Sequence, residues 1–231
     1  MTAHALDNPI WTALTTRHRE FALGGERVRR YPADIGPFVA VPSAGLEVQE
    51  ELSTLVAPGE AVDVVGVAPA FPAQWELLEH AWILQMVCGR LAPVALRDAA
   101  AATRWRELSI ADRPAMLELT ALVYPAYFRK RTSELGRYIG IYQDGRLAAM
   151  AGERMGTDTH IEISAVCTHP QFLGRGYAGL LVSTIARDIQ ARGCTAFLHV
   201  SEANTRAIGV YERLGFTTRA RLPLWLVQRP T

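Results

Sequence analysis

Apolar residues follow two spacings along this chain, the helical repeat and the strict alternation of a strand, and their order outlines its elements. Met116, Leu117, Leu119 and Leu122 form a helical stripe. Ser109 or Asp112 stands at its start with Pro114, and Pro125 ends it. Tyr138 to Tyr142 and Leu147 to Ala151 flank Asp144-Gly145, which predicts a hairpin. Ile161, Ile163 and Ala165 alternate with Glu162, Ser164 and Val166, as in a strand with one apolar and one partly polar face. The same alternation sets Glu162 and Val166 on one face. A glycine-rich turn follows, then a helix from about Tyr177 to Arg192 ended by Gly193. Ala196 to Val200 reads as a strand, Asn204 to Arg213 as a short helix closed by Gly215, and Leu224 to Val227 as a last strand.

The first half carries weaker patterns. Asn8 is placed to cap a helix running through Trp11, Leu14 and Arg17 toward Phe21, with Gly24-Gly25 ending it. Val28 to Tyr31 and Phe38 to Val41 read as short strands, and Leu46 to Leu55 has helical spacing. Val62 to Val67 is rich in valine and predicts a mostly buried strand, with Asp63 as its one charge. Pro72 to His80 reads as a helix opened by Pro72, and Ile83 to Val87 as a further apolar run. Ala99 to Ala102 is a joint between halves or one more helical stretch. The sum is an α/β (α+β) protein whose C-terminal part is a mixed sheet flanked by helices. Residues 1–100 are expected to form a smaller α/β domain, with a degenerate second copy of the C-terminal fold left open. Residues 104–231 form the main domain.

Composition narrows the function classes. Hydrophobic residues make up 49% and charged residues 20%, enough apolar material for a real core. The net charge of +1 gives no bulk attraction to nucleic acid or an anionic membrane. Cys88, Cys167 and Cys194 are odd in number and have no C-x-x-C spacing. That argues against a disulfide framework or a structural zinc, and fits free thiols in a reducing cytoplasm. Met1 to Pro9 lacks a signal-peptide pattern, and apolar runs such as Val64 to Ala70 and Tyr177 to Val182 are too short to span a bilayer. A cytoplasmic monomer or homodimer without nucleic-acid, membrane or metal partners is expected.

Two segments carry chemistry. The first runs from Val166 through Cys167, Thr168, His169, Pro170, Gln171, Phe172, Leu173, Gly174, Arg175, Gly176 and Tyr177 to Ala178. It joins a strand to a helix, and its glycines let the backbone approach a ligand at the positive end of that helix, a setting suited to a pyrophosphate. It reads as a plain tight turn, as the dinucleotide pattern of Gly174, Gly176 and Gly179, or as a coenzyme A loop. The dinucleotide reading wants an acidic residue at the end of the next strand, and Glu202 lies too far along. The elements after it are also too few for a doubly wound sheet. The second segment holds Asn204, Ala207, Tyr211 and Gly215-Phe216. Asn204 and Tyr211 lie two helical turns apart, on one face, with small Ala207 between them. Tyr211 as an ordinary core aromatic is the competing reading.

In this order and spacing the two segments resemble those of the GNAT superfamily of acyl-CoA-dependent N-acyltransferases, over about Trp105 to Gln228. The run Ala196 to Phe216 is similar to the glycine N-acyltransferase-like branch. The resemblance implies that the strand before the glycine loop splays from its neighbour and that pantetheine enters like an added strand. Main-chain groups of Val166 and Thr168, flanking Cys167, would meet its amides. Main-chain amides from Leu173 through Ala178 would hold the pyrophosphate of acetyl-CoA, with Gln171 in the motif and Arg175 near a phosphate. Asn204, beside Ala207, would bind near the pantetheine arm. It further implies transfer of an acyl group, acetyl in the first instance, to a primary amine of a small molecule or peptide by direct attack. Tyr211 takes the acid position, the Val166 N–H is a candidate oxyanion donor, and Glu162 is the implied base, with His160, Glu153 or water as alternatives. A direct transfer leaves Cys167 a packing role. An acyl-CoA-binding module without turnover, or a dinucleotide-binding oxidoreductase, are the rival functions.

Overall fold

The computed structural model describes residues 4–93, 104–125 and 127–231. Helix α1, Pro9–Thr15, starts on a proline and buries Ile10, Ala13 and Leu14. Asn8 stands before it but makes no cap; its amide donates to the Val41 carbonyl at 2.7 Å. The helix stops well short of Phe21, which falls in a separate 3-10 turn, Arg19–Phe21. Strands β1 (Leu23–Gly24), β2 (Arg29–Arg30) and β3 (Val39–Ala40) form a small antiparallel sheet. Helix α2, Gln49–Leu55, leads to β4, Ala61–Val65, the expected valine strand.

The helix expected over Pro72 to His80 is not formed. A turn closed by the Trp75 N–H on the Pro72 carbonyl leads into a long strand, β5, Glu76–Cys88. Its partner is remote in sequence, which is why the local reading fails. Strand β11, Thr217–Gln228, pairs with β5 from Glu76↔Gln228 to Val87↔Thr217, and ladder bonds of that length override local propensity. The Ala99 to Ala102 joint lies outside the described residues.

The second half follows its local signals closely. Strand β6 is Arg106–Glu107. Ser109 and Asp112 form a capping box ahead of α3, Arg113–Val123. Strands β7 (Tyr138–Gln143) and β8 (Arg146–Gly156) meet at Asp144 and Gly145, whose φ values of 51° and 75° suit a tight hairpin. Then come β9 (His160–Thr168), α4 (Tyr177–Ala191), β10 (Thr195–Ser201) and α5 (Thr205–Arg213).

Among the described residues, β4 through β11 form one mixed sheet in the order β4-β11-β5-β10-β9-β8-β7-β6. All neighbours are antiparallel except β9 and β10, which α4 connects as a βαβ step. Strands before residue 94 and strands after residue 104 therefore share one sheet, with β5 between β10 and β11. Ile161, Ile163, Leu198 and the inner face of α4 pack on one side of it. Phe38, Val65, Phe197 and Leu224 pack on the other side with α1.

Two irregularities shape the centre. The β9–β10 ladder runs from Thr195↔His160 to Phe197↔Glu162 and stops, although both strands continue. Strand β9 also carries an extra residue against β8, with Cys167 opposite Met150, Ser164 opposite Gly152, and Ala165 at φ 51°. The bulge breaks the expected alternation. Val166 packs with Ile161 and Ile163, while Ala165 packs with Cys167 on the other face. Glu162 and Val166 thus do not share a face.

Candidate active site

The gap between β9 and β10 opens into a cavity of about 240 Å³. Its wall at the fork is Ile163 to Cys167 of β9, Val200 and Ser201 of β10, then Asn204 and Tyr211. Phe38, Val65, Ile83 and Leu224 bring the first half of the chain and β11 to its far side, and Tyr124, Tyr127 and Phe128 also border it. Because the β9–β10 ladder has ended, main-chain donors and acceptors along the fork are free of strand pairing there, as an inserted ligand strand requires.

The glycine loop follows β9. Thr168, the last residue of that strand, pairs with Ala149. His169 Nδ1 accepts from the Gln171 N–H, and the Gln171 carboxamide oxygen accepts from Arg146. Arg175 lies over the Phe172 ring, and Leu173 is exposed. Gly174 and Gly176 adopt φ of 80° and 81°. A Cβ at Gly174 would meet open space, so that position needs glycine for its backbone and not for room. Gly176 precedes α4 without a side-chain cap, leaving first-turn N–H groups of that 15-residue helix for an anion. The Tyr177 side chain is buried in the core, so only its main chain, like that of Ala178 after it, is available at this end.

On α5, Asn204 Oδ1 caps the helix by accepting from the Ala207 N–H at 3.1 Å, and Ala207 packs against the core. Asn204 and Tyr211 both border the cavity, as their two-turn spacing implies. Burial, with Cys167 and Tyr124 beside it, pushes the Tyr211 phenol well above its ordinary range, so it keeps its proton at neutral pH. Burial likewise pushes the Cys167 thiol up to about 12, which removes it as a thiolate.

Glu162 is fully enclosed. Arg154 Nε and Nη2 donate to its two oxygens at 2.9 and 2.8 Å, His199 Nδ1 donates at 2.9 Å, and the Met155 N–H at 3.3 Å. Burial alone favours the neutral acid, but the Arg154 charge and the bonds from His199 and Arg154 outweigh it and hold the carboxyl at about 2. Arg154 and His199 border the cavity in its place. Gln85 Nε2 donates to His199 Nε2 at 3.1 Å and so fixes the imidazole with its proton on Nδ1. The other two candidate bases lie elsewhere. Glu153 is buried in an ion pair with Arg192 of the segment ending α4. His160 stacks edge-on with His4 and bonds to Thr159, and burial with the charges of His4 and Arg219 lowers its pKa.

Arg154 and His199 are the site residues that sequence reasoning passed over as a pair. The signal was partial: His199 is a polar residue between apolar Leu198 and Val200, whereas Arg154 stands next to Glu153 between Ala151 and Met155, where either charge could have been the inward one. Among the described residues no helix is long and apolar enough to cross a membrane.

The FR47-like protein family matches residues 138–226. A crystal structure from Novosphingobium aromaticivorans DSM 12444, described as an acetyltransferase from the GNAT family, is 32% identical with a TM-score of 0.86, covering 99% of this chain and 100% of its own. A GCN5-related N-acetyltransferase from Kribbella flavida shares the fold at TM-score 0.63 and 14% identity, covering 97% of this chain and 93% of its own. An acetyltransferase of Yersinia enterocolitica is 40% identical over 57 residues, 24% of this chain. This chain spans 40% of the length of that curated relative.

Proposed function

This chain belongs to the GNAT family, and on that premise we propose that it moves an acyl group, acetyl in the first instance, from coenzyme A to a primary amine of a small molecule or peptide. The observation that carries the proposal is the end of the β9–β10 ladder at Phe197↔Glu162, with Asn204 and Tyr211 bordering the gap beyond it. In this reading pantetheine pairs with main-chain groups of Val166 and Thr168, and main-chain amides from Leu173 to Ala178 take the pyrophosphate. The Val166 N–H faces the charge that develops on the thioester oxygen. Tyr211, protonated at neutral pH, donates to the departing sulfur. Glu162 serves as a clamp that keeps Arg154 charged and His199 in one tautomer, since a carboxylate with four donors already on it is a weak base. The first half of the chain forms the acceptor side and sets specificity. The run Ala196 to Phe216 supports a place near the glycine N-acyltransferase-like branch.

Tyr211→Phe tests the reading. With acetyl-CoA saturating and free thiol monitored, kcat is expected to fall about 10²-fold, the usual worth of a general acid. A kcat equal to wild type removes Tyr211 from the chemistry.

A further inference from the structure

Two arginines of this fold hold a glutamate from a buried position, and they use their nitrogens differently. Arg30 is 2% exposed, and every guanidinium nitrogen has an acceptor: Nε the Tyr31 carbonyl, Nη1 the Leu55 carbonyl and Glu60, Nη2 Glu60 again. That is an arginine spent on structure. Arg154 of β8 borders the cavity, and its side chain is 14% exposed while that of its partner Glu162 is 1% exposed. It meets Glu162 side-on, through Nε and one N–H of Nη2. Both N–H groups of Nη1 and the second of Nη2 have no acceptor among the described residues. Arg129 Nε is sealed inside the protein without a partner, whereas Arg154 Nη1, equally unpaired, is not sealed. The end of the guanidinium that carries Nη1 and Nη2 is therefore an open fork of two parallel donors on the cavity wall, the geometry that matches a carboxylate.

The surroundings leave that fork attractive to an anion. Glu162 also accepts from His199 and from the Met155 N–H, so its charge is shared among several donors and does not fall on Arg154 alone. Asp63 also feels the Arg154 charge, but burial raises its carboxyl to about 7, which leaves it mostly uncharged below neutrality. The guanidinium lies 4.8 Å from the Phe38 ring centroid, which fixes its plane. Tyr124 and Tyr127, stacked with centroids 4.7 Å apart, extend the wall with a surface that fits an apolar or aromatic body. Val166 and Tyr211 border the same cavity, so a ligand held at Arg154 shares the space in which transfer takes place.

We propose that Arg154 selects the acceptor by receiving a carboxylate end-on through Nη1 and Nη2, so that the amine substrate is an amino acid with an apolar or aromatic side chain. The inference rests on the acyl-transfer reading and narrows its substrate. Arg154 is a positioning residue: two parallel bonds to the carboxylate fix the orientation of the molecule and leave its amine for the thioester.

The test uses hydrocinnamate and hydrocinnamamide, equal in shape, one with a carboxylate and neither with an amine. Each is titrated calorimetrically into the protein saturated with coenzyme A at about pH 6.5, where the carboxylate is ionised and Asp63 is mostly protonated. Wild type is expected to bind the carboxylate about tenfold or more tightly than the amide. Arg154→Met combined with Glu162→Gln removes both charges together, so neither is left buried alone, and is expected to bring the two ligands within about threefold. In thiol release from acetyl-CoA the same double variant is expected to lose about tenfold or more in kcat/KM on phenylalanine, carried by KM, and to stay within about threefold on phenylalaninamide. Should the double variant fail to bind acetyl-CoA, Arg154→Lys decides, since it keeps the charge without the fork and must lower the preference for the carboxylate. Equal affinity of wild type for the two ligands overturns the proposal, as does an equal loss on both substrates, which is what a purely structural Arg154 would give. Acetyl-CoA binding by wild type without thiol release on phenylalanine overturns the acceptor class. Absence of acetyl-CoA binding by wild type overturns the acyl-transfer reading itself.

Discussion

Glu162 and Asp63 are both buried carboxylates on this sheet, and their environments push them in opposite directions. Glu162 has Arg154 and His199 on it and sits at about 2, below its ordinary value of 4.5. Its stabilising contribution is present above that ordinary value and is lost as pH falls toward 2. Removing the charge leaves the Arg154 guanidinium buried without its partner. Glu162→Gln is therefore expected to destabilise the fold by about 3–5 kcal/mol, measured by urea unfolding at neutral pH. Asp63 has the reverse sign. Its carboxyl is raised from 3.8 to about 7, so the fold loses stability as pH rises through that window. Asp63→Asn is expected to raise the melting temperature above about pH 7 and to leave it near wild type below about pH 4. A mutant that gains nothing in the alkaline range contradicts the raised carboxyl.

Among elements, the loop from Thr168 to Gly176 and the two helices after it follow from local signals. Gly174 has φ of 80°, and a methyl group there would point into open space, so Gly174→Ala adds backbone strain without a clash. A destabilisation of about 1–2 kcal/mol, the left-handed penalty for a residue with a Cβ, is expected, with acetyl-CoA affinity lowered about tenfold in calorimetry. The hairpin at Asp144-Gly145, the helix start at Ser109 and Asp112 and the stops at Gly193 and Gly215 were legible because each depends on a few adjacent residues. Strand β5 was not, because what makes Glu76 to His80 extended is a ladder to Trp225–Gln228, far along the chain. The turn of Val166 away from Glu162 was equally hidden, since the bulge at Ala165 is a feature of how β9 meets β8. The clamp on Glu162 joins three strands, so residue types alone did not separate an enclosed ion pair from a free base.

At the scale of the whole molecule, the shared sheet has a direct consequence. Strand β5 pairs with β10 on one side and β11 on the other, and β4 covers the outer edge of β11. A fragment of residues 104–231 would expose the β10 edge and both edges of β11, and would lose Phe38, Val65 and Ile83 from the cavity wall. It is expected to aggregate or to unfold without a cooperative transition by calorimetry. Cooperative unfolding of that fragment with acetyl-CoA binding retained would show that the second half stands alone. One wall of the cavity thus depends on residues from the first half, and on the proposed reading substrate preference is expected to change with substitutions there more than with substitutions in the glycine loop.

A crystal structure with acetyl-CoA is the most direct measurement of the central claim. The expected result is a pantetheine arm lying between Ile163–Cys167 of β9 and Leu198–Ser201 of β10, with its pyrophosphate at Gly174–Gly176 and its sulfur beside Tyr211. Density for acetyl-CoA elsewhere on the protein, with the fork between the two strands empty, would contradict it.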